Sequence, residues 1–319
     1  MSGQPVLVEV ERSGLVESVH RGTVCVLDAD GAVAWSTGDP AATMFPRSSN
    51  KPMQATAMVE HGLALRGADL ALAAASHAGE DFHVAGVRKI LAGAGLDEDA
   101  LGCPPDLPLD VASAHALLRA GGDPDPVHMN CSGKHAAMLA TCVHNGWPTA
   151  TYLDPGHPLQ KAARDTVERL TGEPVAVTGV DGCGAPLFGF SLTGLARAFR
   201  ASVTAAPGTP ERAVADAMRA HPAYMSGTRR LDRTLMEAVP GLLVKGGAEA
   251  VLACALPDGR AAALKIADGQ QRAVQPLAVA VLRRLGVPGL DDLATVPVLG
   301  GGRPAGTVRA APDLIAEMS

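Results

Sequence analysis

The sequence predicts an α+β fold, in which strands near both ends of the chain form one antiparallel sheet and a helical region lies between them. Three observations predict it. Strand-like segments cluster before residue 40 and again between residues 242 and 266. Apolar residues at helical period fill most of the interval between them. No glycine fingerprint follows a strand and no Walker A sequence occurs, so a nucleotide-binding parallel sheet has no support.

The elements follow in order. Residues 6–11 alternate in part, and residues 24–27 and 32–35 flank Asp28-Ala29-Asp30-Gly31, a hairpin with glycine at its turn. A loop runs to Pro46. Helical patterns then cover residues 49–61, 68–75, 84–94, 111–120, 134–144 and 159–170, with Gly62, Gly121, Gly146 and Gly172 as stop signals. Residues 175–180 are a β-branched strand leading into a glycine-rich turn. Helices resume at 192–199, 211–221 and 231–238. Residues 242–245, 250–256 and 261–266 read as consecutive strands, the last two joined at Pro257-Asp258-Gly259-Arg260, and a final helix covers 273–285. With no repeat and no low-complexity linker, residues 1–319 read as one domain with a helical subregion over about 62–240.

Composition narrows the function. Hydrophobic residues make up 47 % and aromatics only 3 %, so the core is built from Ala, Val and Leu. A net charge of −6 without long runs of like charge disfavours nucleic acid, which needs a basic patch. No apolar stretch reaches the roughly 18 residues of a membrane span. The first residues lack the charged start and apolar run of a secretory leader. Together with six scattered cysteines and no CxxC pair, this points to a reduced, cytoplasmic protein.

Several polar segments interrupt the apolar pattern. Ser48 and Lys51 are three apart at the start of a helix, a spacing that puts both on one face. A serine needs a base to become a nucleophile, and a lysine serves once burial or a nearby cation such as Arg47 lowers its pKa. The plainer reading is a capping serine and a solvated lysine. Ser76-His77-Ala78-Gly79-Glu80 ends an alanine-rich helix with a hydroxyl, an imidazole and a carboxylate, the marks either of a helix end or of a loop at a pocket. Asn130-Cys131-Ser132-Gly133-Lys134-His135 opens another helix with a lysine, where the macrodipole disfavours a cation and a specific partner is implied. Asp181-Gly182-Cys183-Gly184 sets a carboxylate and a thiol on the turn after a strand, and Asp181 could fix a substrate ammonium. Two thiols so far apart in sequence are a weak metal signal, so free cysteines are the default. Lys245, in Lys245-Gly246-Gly247, ends a strand, and Lys265 on the next hairpin is its competitor; an exposed strand lysine is the plain reading of either.

Taken together, Arg47-Ser48-Ser49-Asn50-Lys51-Pro52, Ser76 to Glu80, Asn130 to His135, Gly179 to Gly184 and Lys245 to Glu249 resemble the rhizobial-type L-asparaginases, the asparaginase II-like family. Five blocks in this order span nearly the whole chain. The resemblance implies a fold related to serine β-lactamases and serine glutaminases, and hydrolysis of L-asparagine to L-aspartate and ammonia. It implies two Ser-Lys tandems, Ser48 with Lys51 and Ser76 with Lys245 or, as the fallback, Lys265. It further implies a zinc ion on Cys131, Lys134 and Cys183. Substrate contacts fall to Asp181, with Arg47, His77, Lys134 and His135 beside it, and the assembly is a homodimer. Asn50 and Pro52 inside the first block, and Gly246 at a position open to a hydroxyl residue, leave the substrate preference open but not the reaction class. The alternatives are a glutaminase or β-lactamase-like acyl-transfer hydrolase, and a zinc-containing amino-acid-binding protein without turnover.

Overall fold

The computed structural model describes residues 3–318. Its sheet strands, all antiparallel to their neighbours, are β1 (Val6–Arg12), β2 (Leu15–Leu27) and β3 (Val33–Thr37) near the start, and β7 (Leu243–Gly247), β8 (Val251–Ala255), β9 (Ala261–Ile266), β10 (Thr295–Gly300) and β11 (Arg303–Ala310) near the end. Their order is β10-β11-β1-β2-β9-β8-β7, with β3 pairing β2 off this path. The sheet is therefore built from both ends of the chain, as the sequence predicts. A separate three-stranded sheet joins β4 (Thr43–Met44), β6 (Pro186–Ser191) and β5 (Val177–Val180) in that order.

Strand β2 is longer than residues 24–27 suggest. Its first half carries exposed Leu15, Val16 and Glu17 and pairs with β1, whereas Val24–Leu27 is buried and pairs with β9 and β3. The two halves meet at Gly22, where a Cβ would lie 2.1 Å from Lys265 O, so only glycine lets β9 approach. Two further strands, β10 and β11, have no counterpart in the pattern reading. Pro297, Pro304 and the paired Gly301-Gly302 read as loop. Pro297 is tolerated because β10 is the sheet edge, and Pro304 precedes the β1 register that begins at Gly306. Strand β6 was also unread, since a continuous apolar run does not separate strand from helix.

The helices between the sheet's two halves are α1 (Lys51–Glu60), α2 (Gly67–Ala73), α3 (Asp81–Gly93), α4 (Val111–Arg119), α5 (Ser132–Asn145), α6 (Pro158–Thr171), α7 (Leu192–Thr204), α8 (Pro210–Ala220), α9 (Pro222–Met225) and α10 (Leu231–Ala238). Two more, α11 (Val274–Arg284) and α12 (Pro312–Met318), follow β9 and β11. Consecutive buried positions in β8 and β9 require cover on both faces, and α7 and α11 both pack on these strands. Helix α1 is buried continuously from Lys51 to Met58 and packs against α5, α6 and α8, so it is the central helix of the helical region. None of the helices among the described residues is long and apolar enough to cross a membrane.

Candidate active site

Lys51, Lys134 and Lys245 are among the largest fully buried side chains of the protein. Burying an ammonium costs several kcal/mol unless close partners offset it, on the order seen for buried ion pairs. Three such amines near one another mark the place where the fold departs from the ordinary rule of apolar burial.

Lys51 opens α1 after a tight 3-10 turn over Arg47–Asn50, not inside a helix already begun at residue 49. Its Nζ donates to Ala75 O at 2.6 Å, Ser76 Oγ at 2.9 Å and Cys131 Sγ at 3.0 Å. Ser76 lies where the chain leaves α2 in extended form, its N–H bonded to Met225 O. The Lys51 amine thus meets Ser76; Ser48 Oγ makes no hydrogen bond among the described residues. Ser48 and Ser76 nevertheless line the same cleft, of about 480 Å³, together with Asn130, Arg230, Asp232 and Gly246. The sheet end reaches this turn because Gly247 has no side chain: a Cβ there would lie 2.8 Å from Pro46 O and 3.1 Å from Ser48 N. A larger groove of about 790 Å³, between α11 and α12, holds arginines but none of these groups.

Lys245 is enclosed at the middle of β7, which continues to Gly247. It donates to Gly246 O at 2.9 Å and lies 3.4 Å from Asp232 Oδ2. Burial lowers its pKa to about 8, against the opposing pull of Asp232 and with help from Lys51 and Arg230. Lys265 sits apart, on β9, where its Nζ donates to Glu249 O and Ile266 O.

Beneath the cleft, Lys134 donates to Cys183 Sγ at 3.2 Å, and the Cys131 thiol, which acts on Cys183, donates to Asn130 Oδ1 at 2.9 Å. The neighbouring Cys131 thiol, the Lys134 charge and the His135 ring hold the Cys183 thiol far below its usual range even though burial opposes this. Burial works against the Lys134 ammonium, but Cys183, Cys131 and Asp181 outweigh it and raise its pKa. At the rim, Arg47 Nε donates to Asp181 Oδ1 at 2.8 Å, and Glu249 lies 3.8 Å from the same guanidinium. Arg47 and Glu249 both adopt left-handed backbone, at φ 51° and 58°. Strain in a non-glycine residue persists only where surrounding contacts impose it, as the Asp181 pair does here.

His77 and His135 are fully buried. Gly79 N–H donates to His77 Nδ1 at 3.2 Å, so the proton is on Nε2, which donates to Ser132 Oγ at 2.8 Å. Burial beside His83 and Lys51 keeps this ring neutral. The structure thus places His77 within the core, cross-linking the loop after α2 to the start of α5, and not at the cleft. His135 Nδ1 meets Tyr152 OH at 2.6 Å.

With this geometry in place, comparison with known proteins becomes informative. The sequence model of the L-asparaginase II family matches residues 8–310. The chain belongs to this family. It is accordingly an amidohydrolase. Among curated proteins no sequence matches it. Among solved structures, a beta-lactamase from Mycobacterium bovis is 14 % identical at TM-score 0.48, covering 90 % of this chain and 98 % of that one. The native form of Mglu is 13 % identical at TM-score 0.47, covering 89 % of this chain and 68 % of that chain.

For an L-asparaginase II chain, the thiol cluster bears on the zinc that the family resemblance implies. The Cys131 and Cys183 sulfurs and the Lys134 amine form a soft donor set, and His135 Nε2 is a buried nitrogen without a hydrogen-bond partner among the described residues. No cluster of three or more His, Cys, Asp or Glu capable of holding a metal occurs among the described residues, so Lys134 would have to serve as the third ligand. The donors present fit zinc on that condition, because metal binding displaces thiol and ammonium protons. Sequence reading missed Arg230, Asp232 and Tyr152 in this L-asparaginase II site. A polar run, Thr228-Arg229-Arg230, ahead of α10 was the available signal for the first two; nothing local marks Tyr152.

Proposed function

We propose that the chain hydrolyses L-asparagine to L-aspartate and ammonia through a serine acyl-enzyme. The observation that carries this reading is one cleft lined by Ser48, Ser76 and Asp232, with the buried Lys51 amine bonded to Ser76, the buried Lys245 amine against Asp232, and the Arg47–Asp181 pair next to Ser48 in the chain. Ser48 attacks the side-chain amide carbon. Lys51 takes the serine proton, and Ser76 and the neutral Lys245 amine relay that same proton to the leaving nitrogen, so that ammonia departs neutral. Water then attacks the ester and frees L-aspartate. Asp181 and Arg47 carry charges opposite to the substrate ammonium and carboxylate and orient the amino acid. Cys131, Cys183 and Lys134 would hold a zinc ion, which when bound supplies positive charge beneath the substrate. His135 supports this floor of the pocket, and His77 supports it from the core.

The test is ammonia release by Ser48→Ala against L-asparagine, L-glutamine and a chromogenic β-lactam. The wild type should favour L-asparagine, and the variant should lose turnover. Near wild-type turnover in the variant overturns the nucleophile; a lead for L-glutamine overturns the substrate.

One observation favours a second reading. The Lys51 amine already contacts Ser76 Oγ, a hydroxyl able to donate back to a neutral amine. In this reading Ser76 is the nucleophile. Mass spectrometry of substrate-treated Ser48→Ala and Ser76→Ala distinguishes the two, because the acyl adduct is lost from the variant lacking the attacking oxygen.

A further inference from the structure

Asp232 stands at the second position of α10 with its side chain 10 % exposed, facing the strand that carries Lys245. Its Oδ2 lies 3.4 Å from Lys245 Nζ and accepts the Gly246 N–H at 3.2 Å. A Cβ at residue 246 would lie 3.0 Å from Asp232 Oδ1, so the carboxylate occupies room that a side chain there would need. Gly246 lacks a left-handed φ, and its small size therefore serves packing and not backbone conformation. We propose that Asp232 is a positioning residue for the reaction, its carboxylate fixing the Lys245 amine in space that glycine at 246 leaves open. The proposal rests on the reading of Lys245 as a proton carrier. A neutral amine has two N–H donors, and Gly246 O with Asp232 Oδ2 takes both, which leaves its lone pair free to receive a proton.

The charged groups acting on Lys245 are Asp232 from α10, Arg230 ahead of it and Lys51 from α1. Both cations disfavour the ammonium and only Asp232 favours it. Removing the carboxylate should therefore move the amine's titration to lower pH. In Asp232→Asn the acid limb of kcat against pH should shift down by about one to two units, with plateau kcat lowered by at least about tenfold as the amine loses its anchor. Asp232→Glu, which keeps the charge, should keep the limb near its wild-type position. Gly246→Ser offers a second route: the added atoms displace the carboxylate, and the limb should again move down.

A merely structural aspartate would lower kcat at every pH without moving the limb. If Lys245→Met abolishes the limb while Asp232→Asn and Gly246→Ser leave it in place, the inference on Asp232 is overturned and the reading of Lys245 stands. If Lys245→Met keeps the wild-type limb, both are overturned. Should Asp232→Asn not fold, the Gly246→Ser profile decides alone.

Discussion

Beneath the cleft, on the helical side, Lys134 lies 3.2 Å from Cys183 Sγ; on the sheet side, Lys245 lies 3.4 Å from Asp232. Both amines are buried to the same degree. Yet the first is held charged and the second is lowered to about 8. The difference lies in the company each keeps. Lys134 faces two sulfurs and Asp181, whereas Lys245 has one carboxylate set against two cations. Burial alone therefore does not decide which lysine can act as a base; the balance of neighbouring charge does.

Four substitutions sharpen or break this contrast. The largest effect is expected at Lys51, which contacts Ser76 and Cys131 and so joins the hydroxyls to the thiol cluster. Lys51→Met should lower kcat by about 10³-fold or more, measured as steady-state ammonia release; a loss below tenfold would remove proton transfer from the helical wall. Lys245→Met comes next, with kcat about 10²-fold lower. The sign of the pH effect follows from its lowered pKa: the neutral amine is populated above about pH 8, so the wild-type rate should fall as pH drops through that value, and the variant should lose this dependence. Cys183→Ser tests the floor of the pocket. It should lower zinc retained after purification by at least about tenfold, read by metal analysis, and undiminished zinc would exclude the thiol cluster as its holder. The smallest effect is expected at Lys265, bonded to backbone carbonyls away from the cleft. Lys265→Met should leave kcat within about twofold, since substitutions away from special features cost little. A collapse of activity there would reassign the second lysine.

Much of the fold was legible because its signals are local. Period and stop residues place α1, α5, α6 and α7, and the turn at Pro257–Arg260 joins β8 to β9. The unread parts include β4, β6, β10, β11 and α12, and among them β6, β10 and β11 are segments where a proline or an unbroken apolar run carries no distinct period. At the site, the polar blocks were visible as exceptions to apolar patterning. Their partners were not. Sequence spacing joins Ser48 to Lys51, whereas folding turns the Lys51 amine toward Ser76, 25 residues away. His77 stands in a polar block but spends both ring nitrogens inside the core.

The chain's own order of residues determined its family, its α+β class and the polar blocks that carry Ser48, Ser76 and the buried lysines, because each of these depends on residue type and short-range period. Only the tertiary structure decided which amine touches which oxygen or sulfur, that Asp232 meets Lys245, and which lysine is pushed toward neutrality. Those outcomes depend on distances between segments far apart in sequence and on how much water is excluded between them, and no local pattern encodes either.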